Sequence, residues 1–225
     1  MAIARFKDLC IDAVRPDVLG QFWATTLGLD FALQEGGDGV LTGPTDQHKI
    51  WVNAVPEPRT VKQRVHLDVH VEAVADLEAL GARVQGRSST HPWDVMRDPE
   101  GGEFCAFVRS ERHDYRLYEV VVDSADGEAM AHWWAEVFGA SLCDDEHKRW
   151  WSINEVPGMP FEWMVFVPVP EPKRVKNRIH WDVEADDLHP LLDAGATLLR
   201  PKGDGGIQWH ILADPEGNEF CVFTP

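Results

Sequence analysis

The stretch VPEPRTVKQRVHLDV (Val55–Val69) occurs a second time as VPEPKRVKNRIHWDV (Val169–Val183), with 10 of 15 positions identical. A second motif, DPEGGEFCAF (Asp98–Phe107), returns as DPEGNEFCVF (Asp214–Phe223), with 8 of 10 identical. A repeated order of motifs indicates a duplicated structural unit. The sequence therefore predicts a first domain at 1–110, a linker at 111–116 and a second domain at 117–225.

Each copy has the same predicted order of elements. Phe6–Asp12 alternates in polarity like a strand, and Pro16 marks the start of a helix that ends at Gly28. Val65–Val71 alternates again, and Asp98–Gly101 has the residues of a type I turn between two strands. The sequence thus predicts an α+β fold in which a strand–helix–strands module occurs twice in each copy.

Alternation also predicts which side chains share a face, because successive strand residues point to opposite sides. Val65, Leu67 and Val69 form an apolar face, opposite His66 and Asp68. The same rule predicts that a set of polar, thiol and aromatic side chains lies on the face away from the helices: Asp8, Cys10, His66, Asp68, Glu103, Cys105, Phe107, Glu119, His180, Asp182, Glu219, Cys221 and Phe223.

Two interpretations of this polar face stay open. Antiparallel sheets often expose one face to water, so these groups are simply solvated in the first interpretation. In the second, the face is the floor of a ligand groove whose walls are Trp51, Trp93 and Trp209 on neighbouring strands. The second predicts that Asp8, His66, Glu103 and Cys105 share one cavity, and that Glu119, His180, Glu219 and Cys221 share its counterpart.

Composition excludes several classes of function. Asp and Glu number 38 against 21 Lys and Arg, and a net charge of -17 repels nucleic acid. No apolar run reaches the ~18 residues of a membrane span, and the N-terminus lacks the apolar core of a signal peptide. The four cysteines have no CxxC spacing, so reduced thiols and a cytoplasmic location are expected. Ten tryptophans favour a flat or aromatic ligand.

The modules, the helix end FWATTLG (Phe22–Gly28), the strand VHLDV and the DPEGGEFC hairpin resemble the vicinal oxygen chelate (VOC) superfamily, and most of all the glyoxalase and bleomycin-resistance type of domain. The resemblance covers essentially the whole chain as two tandem domains. It implies that each domain is a pair of βαβββ modules forming a cupped mixed sheet, with helices on the convex face and a ligand cavity inside.

The resemblance also implies four metal-ligand positions in each copy. They fall on Asp8, near Asn53, on His66 and on Cys105 in the first copy, and on Glu119, near Val167, on His180 and on Cys221 in the second. Only the histidine keeps the family's residue type. A divalent metal is therefore disfavoured, and no cofactor and no resident metal are expected.

Three hypotheses for function remain. The first is binding or sequestration of a small, planar molecule, as in bleomycin-resistance proteins. The second is a lyase or isomerase that uses His66 or His180 as a general base. In this hypothesis Asp68 or Asp182 stabilises the charged imidazole, so that the histidine pKa lies near neutral pH. Against this role, the His–Asp pairs can also be structural pairs that only anchor the VPEP loops. The third hypothesis is that the tandem copies serve mainly for assembly, with modules pairing within one chain. The expected partner is a small molecule, with no nucleic acid and no membrane, and the chain is a monomer or homodimer.

Overall fold

In a computed structural model, which describes residues 2–86, 92–144, 146–147 and 149–225, the chain forms two mixed sheets and four α-helices. The first copy contains β1 (Arg5–Ala13), α1 (Pro16–Leu27), β2 (Asp30–Leu33), β3 (Gly39–Thr42), β4 (Ile50–Ala54), β5 (Val65–Val71), α2 (Val74–Ala79), β6 (Arg83–Gly86), β7 (Trp93–Arg97) and β8 (Glu103–Val108). The second contains β9 (Leu117–Ser124), α3 (Gly127–Phe138), β10 (Ser141–Asp144), β11 (Trp151–Asn154), β12 (Trp163–Pro168), β13 (Ile179–Glu184), α4 (His189–Asp193), β14 (Thr197–Arg200), β15 (His210–Ala213) and β16 (Glu219–Phe223).

Each sheet combines one module from each copy. The first sheet has the order β14-β15-β16-β13-β1-β4-β3-β2, and the second has the order β10-β11-β12-β9-β5-β8-β7-β6. The copies meet where β1 runs antiparallel to β13, and where β5 runs antiparallel to β9. The predicted α+β class with mixed sheets is confirmed. The prediction that each copy forms its own sheet is wrong, because β1 pairs with β13 and β5 pairs with β9, so the modules of the two copies pair within the chain.

The predicted boundaries of the first long helix are confirmed. Pro16 occupies the first turn of α1, where its missing N–H costs no hydrogen bond. Gly28 closes the helix in the left-handed region with φ 78°, and a Cβ at this position would lie 2.1 Å from the Asp114 carbonyl oxygen. Both the conformation and the close approach therefore require glycine here.

The long helices α1 and α3 pack against apolar residues of both sheets in one hydrophobic core. Trp23 of α1 makes an edge contact with Phe104 of β8, with ring centroids 5.2 Å apart. Trp134 of α3 contacts Trp181 of β13 in the same way at 4.9 Å. These three tryptophans are completely buried, so part of the tryptophan content fills the core and does not contact a ligand.

The repeated DPEG motif makes the predicted turn and also binds a helix terminus. The Gly101 N–H donates to the Asp98 carbonyl oxygen at 2.8 Å, which closes the turn between β7 and β8. The Glu100 carboxylate accepts hydrogen bonds from the backbone N–H groups of Val14 and Arg15, just before α1. Glu216 makes the equivalent bonds just before α3. The turn and these helix-terminal hydrogen bonds therefore give the repeated DPEG motif a structural role.

Within the described part of the chain, no helix has both the length and the apolar character needed to cross a membrane.

Candidate functional site

The polar face of the second sheet holds a cluster, called cluster B, which consists of the buried Asp68 and Cys105 and the half-buried His66 and Glu119. Asp68 on β5 is paired with Cys105 of β8 on one side and with Glu119 of β9 on the other. The His66 Nε2 lies 3.4 Å from Asp68 Oδ1. Strand alternation brings these groups together, because each occupies the face opposite the helix-packed residues.

The first sheet carries a related cluster, called cluster A, which consists of Asp8, Cys10, His180, Asp182 and Cys221. Asp182 of β13 is paired with Asp8 of β1 and with Cys221 of β16. Cys10 lies opposite His180, and its thiol donates to Asp182 Oδ1 at 3.5 Å. All five residues are at most 8% exposed.

The predicted grouping of site residues by copy is wrong. Asp8 lies in cluster A with His180 and Cys221, whereas His66 and Cys105 lie in cluster B with Glu119. The reason is that β1 pairs with β13 and not with β5, so each cluster takes its strands from both copies. The predicted faces are correct, and only the assignment of strands to sheets differs.

Burial controls the charge state of both clusters. It lowers the pKa of His66 and of His180 to about 4, with nearby Lys62 and Lys176 acting in the same direction. Both imidazoles are therefore neutral at pH 7. The expected histidine pKa near neutral pH is not found, because loss of water around the ring outweighs the attraction of Glu103 for His66 and of Asp12 and Glu219 for His180.

The carboxyl and thiol groups shift in the opposite direction. Burial and the neighbouring Glu119 raise the pKa of Asp68 well above its ordinary value, and burial raises the pKa of Glu119 as well. In cluster A, burial and the adjacent Asp8 raise the pKa of Asp182 to about 6. Burial also raises the pKa of Cys105, so this thiol stays protonated near pH 7.

Glu103 and Glu219 hold the two Pro-rich loops. Glu103 accepts from Arg59 at 3.0 Å and from the Gln63 backbone N–H at 3.2 Å. Glu219 accepts from Lys173 at 2.7 Å and from the Asn177 backbone N–H at 3.1 Å. The loop anchors are therefore these glutamates, and not the His–Asp pairs that the sequence suggested for that role.

The three tryptophans predicted as walls do not lie on neighbouring strands. Trp51 is on β4 of the first sheet, Trp209 directly precedes β15 of the same sheet, and Trp93 is on β7 of the second sheet. In the first sheet, Trp51 and Trp209 flank cluster A, because β16, β13 and β1 lie between their strands. In the second sheet, Trp93 lies beside β8, which carries Cys105.

Two phenylalanines of the predicted polar face join the site, although neither was predicted as a ligand-binding residue. Trp93 packs on Phe107 with ring centroids 5.3 Å apart and planes inclined by 33°. Trp209 stacks on Phe223 at 5.6 Å and 29°. Cys10 was also not predicted as a site residue, although it has the same strand parity as Asp8. Alternation placed all three on this face, although none of them was predicted to bind a ligand.

A cavity opens beside each polar face. One of about 520 Å³ is bordered by Phe223, Glu184 and Arg5, together with residues near both chain ends. The other, of about 320 Å³, is bordered by Asn154, Trp163 and residues of the preceding loop. Neither cavity is lined by a residue of cluster A or cluster B.

The four ligand positions of metal-using VOC proteins do not fit a metal site in this chain. In the first sheet they correspond to Asp8, Asn53, His180 and Cys221, and the Asp8 carboxylate is paired with the Lys7 ammonium. In the second sheet, Val167 occupies one position and cannot donate a lone pair from its side chain. Neither set provides the carboxylates and imidazoles that a hard or borderline divalent ion prefers at these four positions.

The model of the glyoxalase-like domain family matches the chain twice, at residues 8–107 and 119–223. Among solved structures, glyoxalase I from Zea mays is similar with a TM-score of 0.71 and 13% identity, over 98% of this chain and 92% of that chain. A putative dioxygenase from Bacillus subtilis subsp. subtilis str. 168 has a TM-score of 0.61 and 12% identity, over 100% of this chain and 86% of that chain.

The cppA protein from Streptococcus pneumoniae TIGR4 is similar with a TM-score of 0.52 and 13% identity, over 100% of this chain and 99% of that chain. No curated protein matches the sequence. At these identities the solved structures show the fold alone. The two family matches cover most of the chain, which therefore belongs to the glyoxalase-like domain family of the VOC superfamily.

Proposed function

We propose that this protein binds a small, planar aromatic molecule at the polar face of one or both sheets, in the manner of binding or sequestering members of its superfamily. The observation that carries the proposal is a tryptophan packed against a phenylalanine at the equivalent place in each sheet: Trp209 is stacked on Phe223, and Trp93 is tilted against Phe107. An aromatic ligand that extends such a stack gains roughly 0.5 to 1.5 kcal/mol beyond the burial of its area.

The surroundings of the stacks support the same ligand class. The cavity beside Phe223 has a volume of about 520 Å³, within the range of ordinary small-molecule sites. Trp209 and Trp93 are each half-buried. Buried carboxyl, imidazole and thiol groups lie next to the stacks and offer polar contacts that orient a ligand. This mode of binding needs no metal ion.

Negative charge on the chain and at the larger cavity also favours planar ligands that carry a cationic group. The chain carries a net charge of -17, and the larger cavity is bordered by Asp186 and by Glu184, which pairs with Arg5 at 3.7 Å. A cationic group on a planar ligand is attracted by this field, and the attraction weakens as salt screens it.

We also propose that the protein is cytoplasmic. Its four cysteines are free, and unpaired thiols are typical of reducing compartments.

Tryptophan fluorescence tests the proposal directly. A panel of planar aromatic compounds, with and without a cationic group, is titrated into the protein, and binding is expected to quench the emission. Trp209→Phe and Trp93→Phe are expected to weaken binding by about 2- to 10-fold in the sheet that takes the ligand, because a smaller ring stacks less well. Trp150→Phe, which changes a tryptophan outside the strands, serves as the matched control.

Two results would contradict the binding function. The first is a panel that leaves both the fluorescence and the melting temperature unchanged. The second is quenching that the Trp93 and Trp209 variants leave intact while Trp150→Phe removes it, because binding would then lie away from both polar faces.

The second candidate function is a lyase or isomerase that moves a proton without a metal ion. Neutral His66 can accept a proton, as the sequence suggested, but its low pKa makes it a weak base. The adjacent carboxyls of Asp68 and Glu119 are better suited, because their raised pKa values favour sharing one proton near neutral pH. Proton exchange at carbon next to a carbonyl group, followed in D₂O by NMR, would reveal this activity.

The enzymatic alternative predicts that exchange is lost in Glu119→Gln and kept in Glu136→Gln, which changes an exposed glutamate of α3. Retention of exchange in both variants would rule out the carboxyl pair as the group that moves the proton.

A further inference from the structure

We infer that the cavity of about 320 Å³ beside β12 is a separate binding site for an organic ammonium ion, with Trp163, Glu162 and Glu155 at its border. It lies on the other side of the second sheet from Trp93, because β9, β5 and β8 stand between β12 and β7. Four strand spacings of about 4.8 Å separate the two places along the sheet. The site is therefore independent of the aromatic ligand proposed above.

The charge at this cavity is negative. Of the described residues that border it, only Glu155 and Glu162 are charged, and both are exposed. Neither carboxylate forms an ion pair with another residue of the described chain. The larger cavity differs, because an arginine borders it and pairs with one of its carboxylates. The smaller cavity therefore attracts a positive ligand, and salt weakens the attraction because both groups are exposed.

Trp163 places an aromatic ring next to one of these carboxylates. It pairs with Glu119 in the sheet, so its side chain lies on the polar face, opposite the buried Met164. Its indole N–H donates to Glu162 Oε2 at 3.3 Å, which holds the ring and the carboxylate side by side. An ammonium ion over the indole gains a cation–π contact together with the attraction of the carboxylate. The equivalent residue of the first sheet is Lys49, which offers no such ring.

Asn154 supplies a hydrogen-bond acceptor at the same cavity. Its Oδ1 is buried and has no hydrogen-bond partner among the residues that the structure describes. An acceptor left in this state is unfavourable, because it has lost water without gaining a donor. The terminal torsion of an asparagine is broad, so its amide turns at little cost. An ammonium N–H in the cavity would satisfy this oxygen, which favours a ligand with N–H donors over a quaternary ammonium ion.

The loop that forms the cavity is held in place by β1 of the first copy. The Phe6 N–H donates to the Pro157 carbonyl oxygen at 2.9 Å, and its ring makes an edge contact with Phe161 at 5.5 Å. Gly158 has a φ of 91°, and a Cβ there would lie 2.3 Å from the Phe6 carbonyl oxygen. Glu155 has a φ of 56°, and such backbone strain in a residue with a side chain is typical of ligand sites. The loop is thus ordered before a ligand arrives, which lowers the entropic cost of binding.

Fluorine NMR of the protein labelled with 5-fluorotryptophan tests the site without any enzymatic activity. Single Trp→Phe variants assign the signals of Trp163, Trp93 and Trp209. The probe is cyclohexylammonium, which carries the charge and the N–H donors but has no planar ring for the aromatic stacks. It is expected to shift the Trp163 signal saturably and to leave the Trp93 and Trp209 signals unchanged. Cyclohexanol, which has a similar shape but no charge, is expected to bind at least about fivefold more weakly.

Matched variants test the role of the carboxylate. Glu162→Gln keeps an oxygen that accepts from the Trp163 indole but removes the charge, and it is expected to weaken cyclohexylammonium binding by about 2- to 5-fold. Glu136→Gln changes an exposed glutamate of α3 and is expected to leave the binding unchanged. Added salt should weaken binding to the wild type more than to Glu162→Gln. Both variants change exposed residues, and the signals of the other tryptophans verify that each variant is folded.

Three results would overturn this assignment. A Trp163 signal that does not move shows that the cavity takes no ammonium ion. Equal binding of cyclohexanol shows that the charge is not recognised. Binding to Glu162→Gln that is as tight as to the wild type removes the carboxylate from the site. A probe that shifts only Trp93 or Trp209 would support the proposed function and contradict this site, so the two failures can be distinguished.

Discussion

Replacing Asp98 by Asn is expected to change how the stability of the protein depends on pH. Asp98 begins the DPEG turn, and its Oδ1 accepts hydrogen bonds from the backbone N–H groups of Glu100 at 2.9 Å and Gly102 at 2.8 Å. The residue is 7% exposed. Burial raises the pKa of Asp98 from 3.8 to about 6, even though the two backbone donors act in the opposite direction. Asn keeps an acceptor for the turn but removes the charge.

The raised pKa determines the sign of the effect. Between about pH 4 and pH 6 the folded protein keeps the Asp98 proton that the unfolded chain releases, so the free energy of unfolding falls as the pH rises. This contribution is fully present below pH 3.8 and is lost as the pH passes about 6. A rise from 3.8 to about 6 corresponds to roughly 3 kcal/mol, at about 1.4 kcal/mol per pKa unit.

Urea unfolding of the wild type and Asp98→Asn between about pH 4 and pH 7 measures the effect. The variant is expected to gain roughly 2 to 3 kcal/mol relative to the wild type across this range. Asp98→Ala, which also loses the turn acceptor, serves as the comparison and is expected to be destabilised at low pH. A difference between wild type and Asp98→Asn that does not change with pH would refute the claim that buried Asp98 keeps its proton.

Three further predictions concern glycine, a helix terminus and a histidine. Gly28→Ala is expected to lower the free energy of unfolding by more than about 1 kcal/mol, whereas Gly36→Ala, which meets no atom within 4 Å, should leave it within about 0.5 kcal/mol. Glu100→Ala removes the acceptor for two N–H groups before α1 and should cost about 1 kcal/mol in urea unfolding, so an unchanged midpoint would contradict this role. In an NMR titration, His66 should stay neutral down to about pH 5, because its pKa is about 4, while exposed His189 protonates at higher pH. Protonation of both at the same pH would contradict the effect of burial on His66.

Local sequence patterns determined the elements and their faces. The predicted strand Val65–Val71 and the DPEG turn occur where the alternation and the turn residues indicated. His66 and Asp68 lie on the face opposite Leu67, because side-chain direction along a strand follows from residue parity. The duplication was equally visible, since two long motifs recur in the same order. These features depend on the order of residues along the chain, so the sequence is sufficient to predict them.

Only the tertiary structure determined which modules share a sheet and which side chains form each cluster. β5 and β13 have closely similar sequences, so nothing local distinguishes the partner of β1 from that of β9. The choice depends on how the modules pack around α1 and α3, and it places Cys10 next to Asp182 although they are 172 residues apart in sequence. The pKa values depend on the same packing, because burial is set by all surrounding elements together and not by the residues adjacent in the chain.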